Sequence, residues 1–349
     1  MNGVIILDKP AGWTSHDVVN RMRRILQQRS VGHLGTLDPL ATGVLPLVTG
    51  SLTRLAQFYT TSEKTYEGVI RFGFATNTYD ADGDPVEAHV GTAAPSTSSE
   101  PALSLPKGQA LGCPSGRRPD LKLDTVQKLS AEFVGLIEQV PPPFSAKKIH
   151  GVPAYKLARK QQEVILKPVQ VEIKEFVITA VEGDRATFRA RVASGTYMRS
   201  VAHEMGQRLG CGAHLESLRR TAVAEFEIAQ AHTLEEIERR TSEIKTCHSE
   251  PGGKPGEACP ERSRREPAVS GHEGIAALFI HPRQLLPQFP SVTADEAAAA
   301  RIRSGRPVNL PELSRARQVK VFYGQRDLIA IATRVAGTLF HPRIVFACD

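Results

Sequence analysis

Apolar positions change their period several times along the chain, and each change predicts an element. Val4 to Leu7 form a continuous apolar run closed by Asp8-Lys9-Pro10-Ala11-Gly12, which predicts a short buried strand and a turn. Val18, Val19, Met22 and Ile25 then recur at helical spacing, predicting a helix over 17–26 capped by Thr14 or Ser15. Over 66–74 the pattern turns strand-like through Tyr66, Val69, Ile70, Phe72 and Phe74, and Asp80-Ala81-Asp82-Gly83-Asp84-Pro85 closes it as a turn. An amphipathic helix is predicted over 126–136 and a strand pair over 169–181 and 185–192, joined at Glu182-Gly183-Asp184. Helical spacing returns over 197–209. Near the end the pattern predicts a helix over 293–302 and strands over 319–323, 328–333 and 343–346. Strands and helices mix without a regular βαβ repeat, so an α+β fold with a mixed, largely antiparallel sheet is expected.

Two stretches break this order. Residues 92–120 and 242–274 are rich in Pro, Gly, Ser and charge, and echo each other: Ser99-Glu100-Pro101 then Cys113-Pro114, against Ser249-Glu250-Pro251 then Cys259-Pro260. They read as disordered surface inserts that the fold tolerates, with nucleic-acid binding by their arginines as the functional alternative. The expected partition is a catalytic domain over 1–285 carrying both inserts, followed by a small unit over 286–349. Between Arg301 and Asp349 nine Lys and Arg face only Glu312, Asp327 and Asp349. That imbalance on a β-rich unit suits docking on an RNA backbone; an ordinary basic surface is the plainer reading.

Composition narrows the class. The length of 349 residues suggests about two domains, and no apolar run is long enough for a transmembrane helix. The start lacks a basic segment and a cleavage site, so it reads as a first strand and not as a signal peptide. Five cysteines without a CxxC pair argue against both a zinc site and a disulfide framework, which fits a reducing cytoplasm. The net charge of +7 permits a polyanionic partner, but part of it lies in the inserts.

The candidate chemistry concentrates in residues 32–43, Gly-His-Leu-Gly-Thr-Leu-Asp-Pro-Leu-Ala-Thr-Gly, where Asp38 is the one acid. A lone carboxylate on a tight, mostly apolar loop stiffened by Pro39 suits covalent attack. The structural alternative is an Asp-Pro cap on a helix beginning at Pro39.

Seven separated motifs, in order, carry a resemblance. They are Leu7-Asp8-Lys9-Pro10-Ala11-Gly12, the 32–43 loop, Lys64-Thr65-Tyr66-Glu67-Gly68, Thr78-Tyr79-Asp80-Ala81-Asp82-Gly83, Gln139-Val140-Pro141-Pro142-Pro143-Phe144-Ser145-Ala146-Lys147-Lys148, Gly195-Thr196-Tyr197-Met198-Arg199-Ser200 and Leu209-Gly210-Cys211-Gly212-Ala213-His214-Leu215. In these the chain resembles the tRNA pseudouridine synthase B family over nearly everything outside the inserts. Leu34 departs from the pattern, since the family loop commonly carries Thr there.

The resemblance implies a pseudouridine-synthase core with flanking helices and a small C-terminal PUA-like RNA-binding domain. It also implies isomerisation of uridine 55 in the T loop of tRNA, without metal or cofactor. Asp38 matches the catalytic aspartate, acting on the sugar, on the base or toward C2′ on a glycal route. Arg199 matches the arginine that pairs with it, in a two-pronged geometry lysine cannot copy. Tyr66 matches a tyrosine that stacks on uracil and reaches the C5 proton. Tyr197 and Leu218 match pocket-lining positions, and His33 a histidine that supports the space left by the flipped base. For Leu218 simple core packing is a strong alternative, since a leucine before Arg219-Arg220 needs no ligand to explain it. Lys64, Lys147 and Lys148 are expected phosphate contacts, and Lys9 and Pro10 are expected to brace the loop. The implied partner is the tRNA T arm, met by a cytoplasmic monomer with no membrane and no obligate protein partner. The alternatives are a noncatalytic RNA-binding or tRNA-chaperone protein of the same fold, and a related uridine isomerase acting on ribosomal RNA.

Overall fold

The computed structural model describes residues 1–86, 121–145, 147–149, 151–158, 160, 166–246, 277–312 and 314–346. The predicted insert over 92–120 and most of the second, from 247 on, lie outside the described residues; residues 242–246 instead continue the helix Leu234–Thr246. The chain divides into two compact units, one formed by Met1–Thr60 with Ala222–Asp349 and the other by Thr61–Thr221.

In the first unit the strand Gly3–Lys9 pairs antiparallel with Thr42–Thr49, from Gly3 opposite Thr49 to Lys9 opposite Gly43, and the short strand Val31–His33 also pairs with Thr42–Thr49. The predicted first helix is Ser15–Ile25. Its N-cap is Thr14, whose hydroxyl accepts from the Asp17 amide while the Asp17 carboxylate accepts from the Thr14 amide. This reciprocal box satisfies two donors that a helix start leaves unpaired. Val18, Val19 and Met22 form the buried face, as their spacing requires.

The C-terminal part of the same unit is a five-stranded sheet. Its order is Ser291–Ala294, Gln318–Tyr323, Asp327–Ala336, Leu339–Val345, Val308–Asn309, with the first pair parallel. Register shifts interrupt the alternation of faces along these strands, and both faces are buried. Val319, Val321, Ile329 and Phe340 pack with Ala299 and Ile302 of the helix Glu296–Arg303 on one side. On the other, Phe322, Leu328, Ile331, Ile344 and Phe346 share a core with Val4, Ile6, Val44, Val48 and Leu55. The helix predicted over 293–302 therefore starts later. Thr293 is drawn into the sheet opposite Phe322, and Asp295 caps the helix through the Ala298 amide.

The second unit is built on a sheet ordered Ala213–Val223, Lys64–Phe72, Arg185–Val192, Val169–Glu182, Gly135–Gln139. The predicted pair joined at Gly183 is present, antiparallel, and Lys64–Phe72 lies antiparallel beside it. The helix predicted over 126–136 is instead Leu123–Ala131 followed by a strand. Gly135 takes φ of +108°, outside any helix, and the next residues pair as Leu136 with Glu172 and Ile137 with Val171. Leu136, expected as the last residue of that amphipathic helix, is an exposed side chain on an edge strand. Among the described residues no helix is long and apolar enough to cross a membrane.

Candidate active site

The first unit carries Asp38 and His33. No helix begins at Pro39: the chain turns there, with the Ala41 amide donating to the Asp38 carbonyl, and enters the strand Thr42–Thr49. This overturns the helix-cap reading of Asp38. Pro39 sits at the second position of that turn, where its fixed φ is favourable, and its carbonyl is taken by the Gly12 amide (2.9 Å) and the Lys9 ammonium (3.2 Å). Lys9 is fully buried and also donates to the carbonyls of Pro10 and Trp13. One residue before the acid, Leu37 is held at both its polar groups by Ser15. The hydroxyl accepts from the Leu37 amide at 2.8 Å and donates to its carbonyl at 3.0 Å. Asp38 is thus half-buried between two residues whose backbones are pinned. The expected bracing role of Lys9 corresponds to a bond in the structure. Leu34, the departure from the family loop, is buried in the unit's core, while His33 accepts the Gly35 amide on Nδ1.

The second unit carries Tyr66, Tyr197, Arg199 and Leu218. Tyr66 and Leu218 are buried on the neighbouring strands Lys64–Phe72 and Ala213–Val223. Tyr197 is the N-cap of the helix Met198–Arg208 and makes no capping bond with its own side chain. Instead Gln139 accepts the Tyr197 amide on Oε1 (2.8 Å) and donates from Nε2 to the Tyr197 carbonyl (3.1 Å). Arg199 is buried, where a residue in the first turn of a polar helix is ordinarily exposed. Its guanidinium donates to the carbonyls of Thr78 (3.2 Å) and Phe144 (3.1 Å) and pairs with the Asp80 carboxylate at 3.3 Å. Asp80, also buried, accepts on its other oxygen from the Thr78 hydroxyl (2.5 Å) and the Asp82 amide (3.2 Å). Between Thr78 and Asp80, Tyr79 adopts φ of +67° and stacks on His203, one turn beyond Arg199, with ring centroids 3.7 Å apart. Burial holds the His203 imidazole below its usual pKa and raises the Tyr79 phenol above its own.

Asp80 holds Arg199 and Gln139 holds Tyr197, and both lie in motifs in which the sequence attaches no role to them. The signal was present as an acid beside Thr78 and as a glutamine opening the triple-proline run, but neither names its partner. Lys64 departs from its expected phosphate contact. It is buried, donates to the Ser62 carbonyl, and its pKa is pushed down to about 8 by burial and then by the charge of Arg220. Lys147 is half-buried, and the side chain of Lys148 lies outside the described residues.

The basic C-terminal run divides as well. Lys320 is buried on the carbonyls of Arg283 and Leu285, and Arg334 holds the backbone of Glu312, Ser314, Ala316 and Gly337. Arg306, Arg315, Arg317, Arg326 and Arg343 remain on the surface. Among the described residues no group of three or more His, Cys, Asp and Glu is placed to hold a metal ion.

Comparison with known proteins places these residues in context. A family model described as TruB family pseudouridylate synthase, N-terminal domain, matches residues 23–117 and 106–198, and one described as tRNA pseudouridylate synthase B C-terminal domain matches 199–250. The tRNA pseudouridine synthase B of Solibacter usitatus (strain Ellin6076) is 43% identical over 350 aligned residues, covering 99% of this chain and 100% of the relative. That of Bacillus cereus is 35% identical over 311, covering 87% and 83%. Among solved structures, the chain matched in a Cbf5-Nop10-Gar1 complex superposes with a TM-score of 0.63 at 22% identity, over 99% of this chain and 85% of that one. At that identity the likeness establishes the α+β fold.

Proposed function

The chain belongs to the TruB family of pseudouridylate synthases, isomerases that make pseudouridine in tRNA, and on that premise we propose that it converts uridine 55 of the T loop through Asp38. In this reaction the bond from ribose C1′ to uracil N1 is broken and a bond from C1′ to C5 is made. The C5 proton leaves and N1 gains one, so neither an electron carrier nor a second substrate enters the balance.

The observation that carries the reading is the mounting of Asp38. A half-buried acid stands between Leu37, gripped twice by Ser15, and Pro39, gripped by Lys9 and Gly12. A reacting group held in that way loses little entropy on reaching its target. Arg199 takes the part of the arginine that partners the aspartate in the family, a role its planar guanidinium suits better than a lysine would. Tyr66 offers the base a face to stack on and a phenol for the C5 proton; Tyr197 and Leu218 line the pocket; His33 supports the loop from which the base is flipped. The C-terminal segment from 286 on, with its surface arginines, grips the RNA backbone without reading sequence. The enzyme acts as a cytoplasmic monomer on the T arm, without an obligate protein partner.

The test is to map pseudouridine in a T-arm stem-loop after incubation with the wild type and with Asp38→Asn. Modification at the position of uridine 55 by the wild type alone is the expected result. Equal modification by Asp38→Asn, or modification at another uridine, overturns the reading.

A further inference from the structure

We propose that Gln139 is a positioning residue for the reaction, holding the start of the Met198–Arg208 helix so that Arg199 is presented in one orientation; this rests on the role given to Arg199 above. Gln139 is the last residue of the strand Gly135–Gln139 and is 1% exposed. Its amide makes two bonds to a single residue, accepting from the Tyr197 N–H and donating to the Tyr197 carbonyl. Two antiparallel bonds between one amide and one peptide fix both the distance and the rotation of that peptide, as a pair of ladder bonds does in a sheet. The bonds fall where the helix is weakest, because Tyr cannot cap with its side chain in the way Ser, Thr, Asn or Asp does.

The following residues extend the same grip. The Val140 carbonyl accepts the Ser200 hydroxyl at 2.8 Å, and the Phe144 carbonyl accepts the Arg199 guanidinium. Residues 197 and 200 are therefore tied to the end of one strand on either side of Arg199. The guanidinium itself rests on the carbonyls of Thr78 and Phe144 and on the Asp80 carboxylate. A helix start that slides by a fraction of an ångström breaks that fit, and misplacement of about 1 Å at a catalytic centre can cost about 100-fold in rate. A glutamine kept only for stability has no such effect: its loss lowers the melting temperature and leaves turnover below that temperature unchanged.

Single-turnover rates on the stem-loop, with RNA affinity measured separately, distinguish the two. Gln139→Leu is expected to slow the single-turnover step by about 10-fold to 100-fold, while RNA affinity changes by less than about threefold. Gln139→Glu supplies a readout that packing alone does not move. Ionised, the new carboxylate faces the Tyr197 carbonyl; protonated, it accepts from the N–H and donates to the carbonyl as the amide does. Its rate relative to the wild type should therefore rise several-fold as the pH is lowered from about 8.5 to about 6. A Gln139→Leu rate within about twofold of the wild type, or a Gln139→Glu ratio flat across that range, overturns the proposal. If Gln139→Leu does not fold, the Gln139→Glu profile decides alone. Arg199→Lys separates the two levels. Its full activity removes the reading of Arg199, whereas a slow Arg199→Lys beside fully active Gln139 variants removes Gln139 only.

Discussion

Asp38 and Asp80 are both loop aspartates in family motifs, and the two units hold them in opposite ways. Asp80 is buried and its side chain is consumed locally, by the Thr78 hydroxyl, the Asp82 amide and Arg199. Asp38 is half-buried, and the bonds that fix its loop fall on the backbones of its neighbours, Leu37 and Pro39. Tying down a carboxylate by its own oxygens makes it part of the architecture. Tying down the peptide units on either side fixes where a carboxylate stands. On the function proposed above, the contrast separates an acid that builds from an acid that reacts.

The comparison breaks at four points of decreasing size. Asp38→Asn should lower the single-turnover rate by about 10⁴-fold, with far less effect on unfolding free energy than the matching change at Asp80. Asp80→Asn should invert that ratio, costing about 3 kcal/mol in denaturant unfolding because it strips one member from a buried ion pair. Equal stability losses for the two variants would erase the distinction. Lys64→Met isolates a buried charge outside both loops. Its ammonium releases its proton near pH 8 in the folded chain and near 10.5 when unfolded. Below about pH 8 the charged group therefore opposes folding. As the pH rises from 8 to 10.5 the unfolded chain holds the extra proton, so the wild type gains stability relative to its neutral-pH value. Lys64→Met should then be about 2 kcal/mol more stable than the wild type at pH 7, with the advantage fading by about pH 10. A gain independent of pH would point to packing instead of charge. Ser15→Ala should cost about 1 kcal/mol, since it leaves the buried amide and carbonyl of Leu37 unsatisfied, and should slow turnover measurably by loosening the Asp38 loop.

Much of the fold was legible because its signals are local. Thr14 and Asp17 are three residues apart, and Gly183 marks its own hairpin. The misread helix at 126–136 shows the limit of periodicity. Val134 and Leu136 keep the helical beat, but one glycine at positive φ changes the element and turns both side chains to solvent. Asp38 stood out by its surroundings, a single acid among small and apolar residues. Arg199 could not be recognised in that way, because what buries it comes from 55 residues upstream at Phe144 and 121 upstream at Thr78. Gln139 is legible only once Tyr197, 58 residues on, has been placed beside it. The family motifs name candidate residues; the partners of those residues needed the fold.

Lys9 offers a way to watch the first unit breathe. Its ammonium lies among three main-chain oxygens, those of Pro10, Trp13 and Pro39, much as a cation sits in a crown ether, and no part of the side chain meets solvent. An amine caged in that way cannot meet an acylating reagent until the cage opens. The rate at which Lys9 is labelled in the intact protein is therefore a clock for the opening of the loop that carries Asp38, readable by mass spectrometry without substrate.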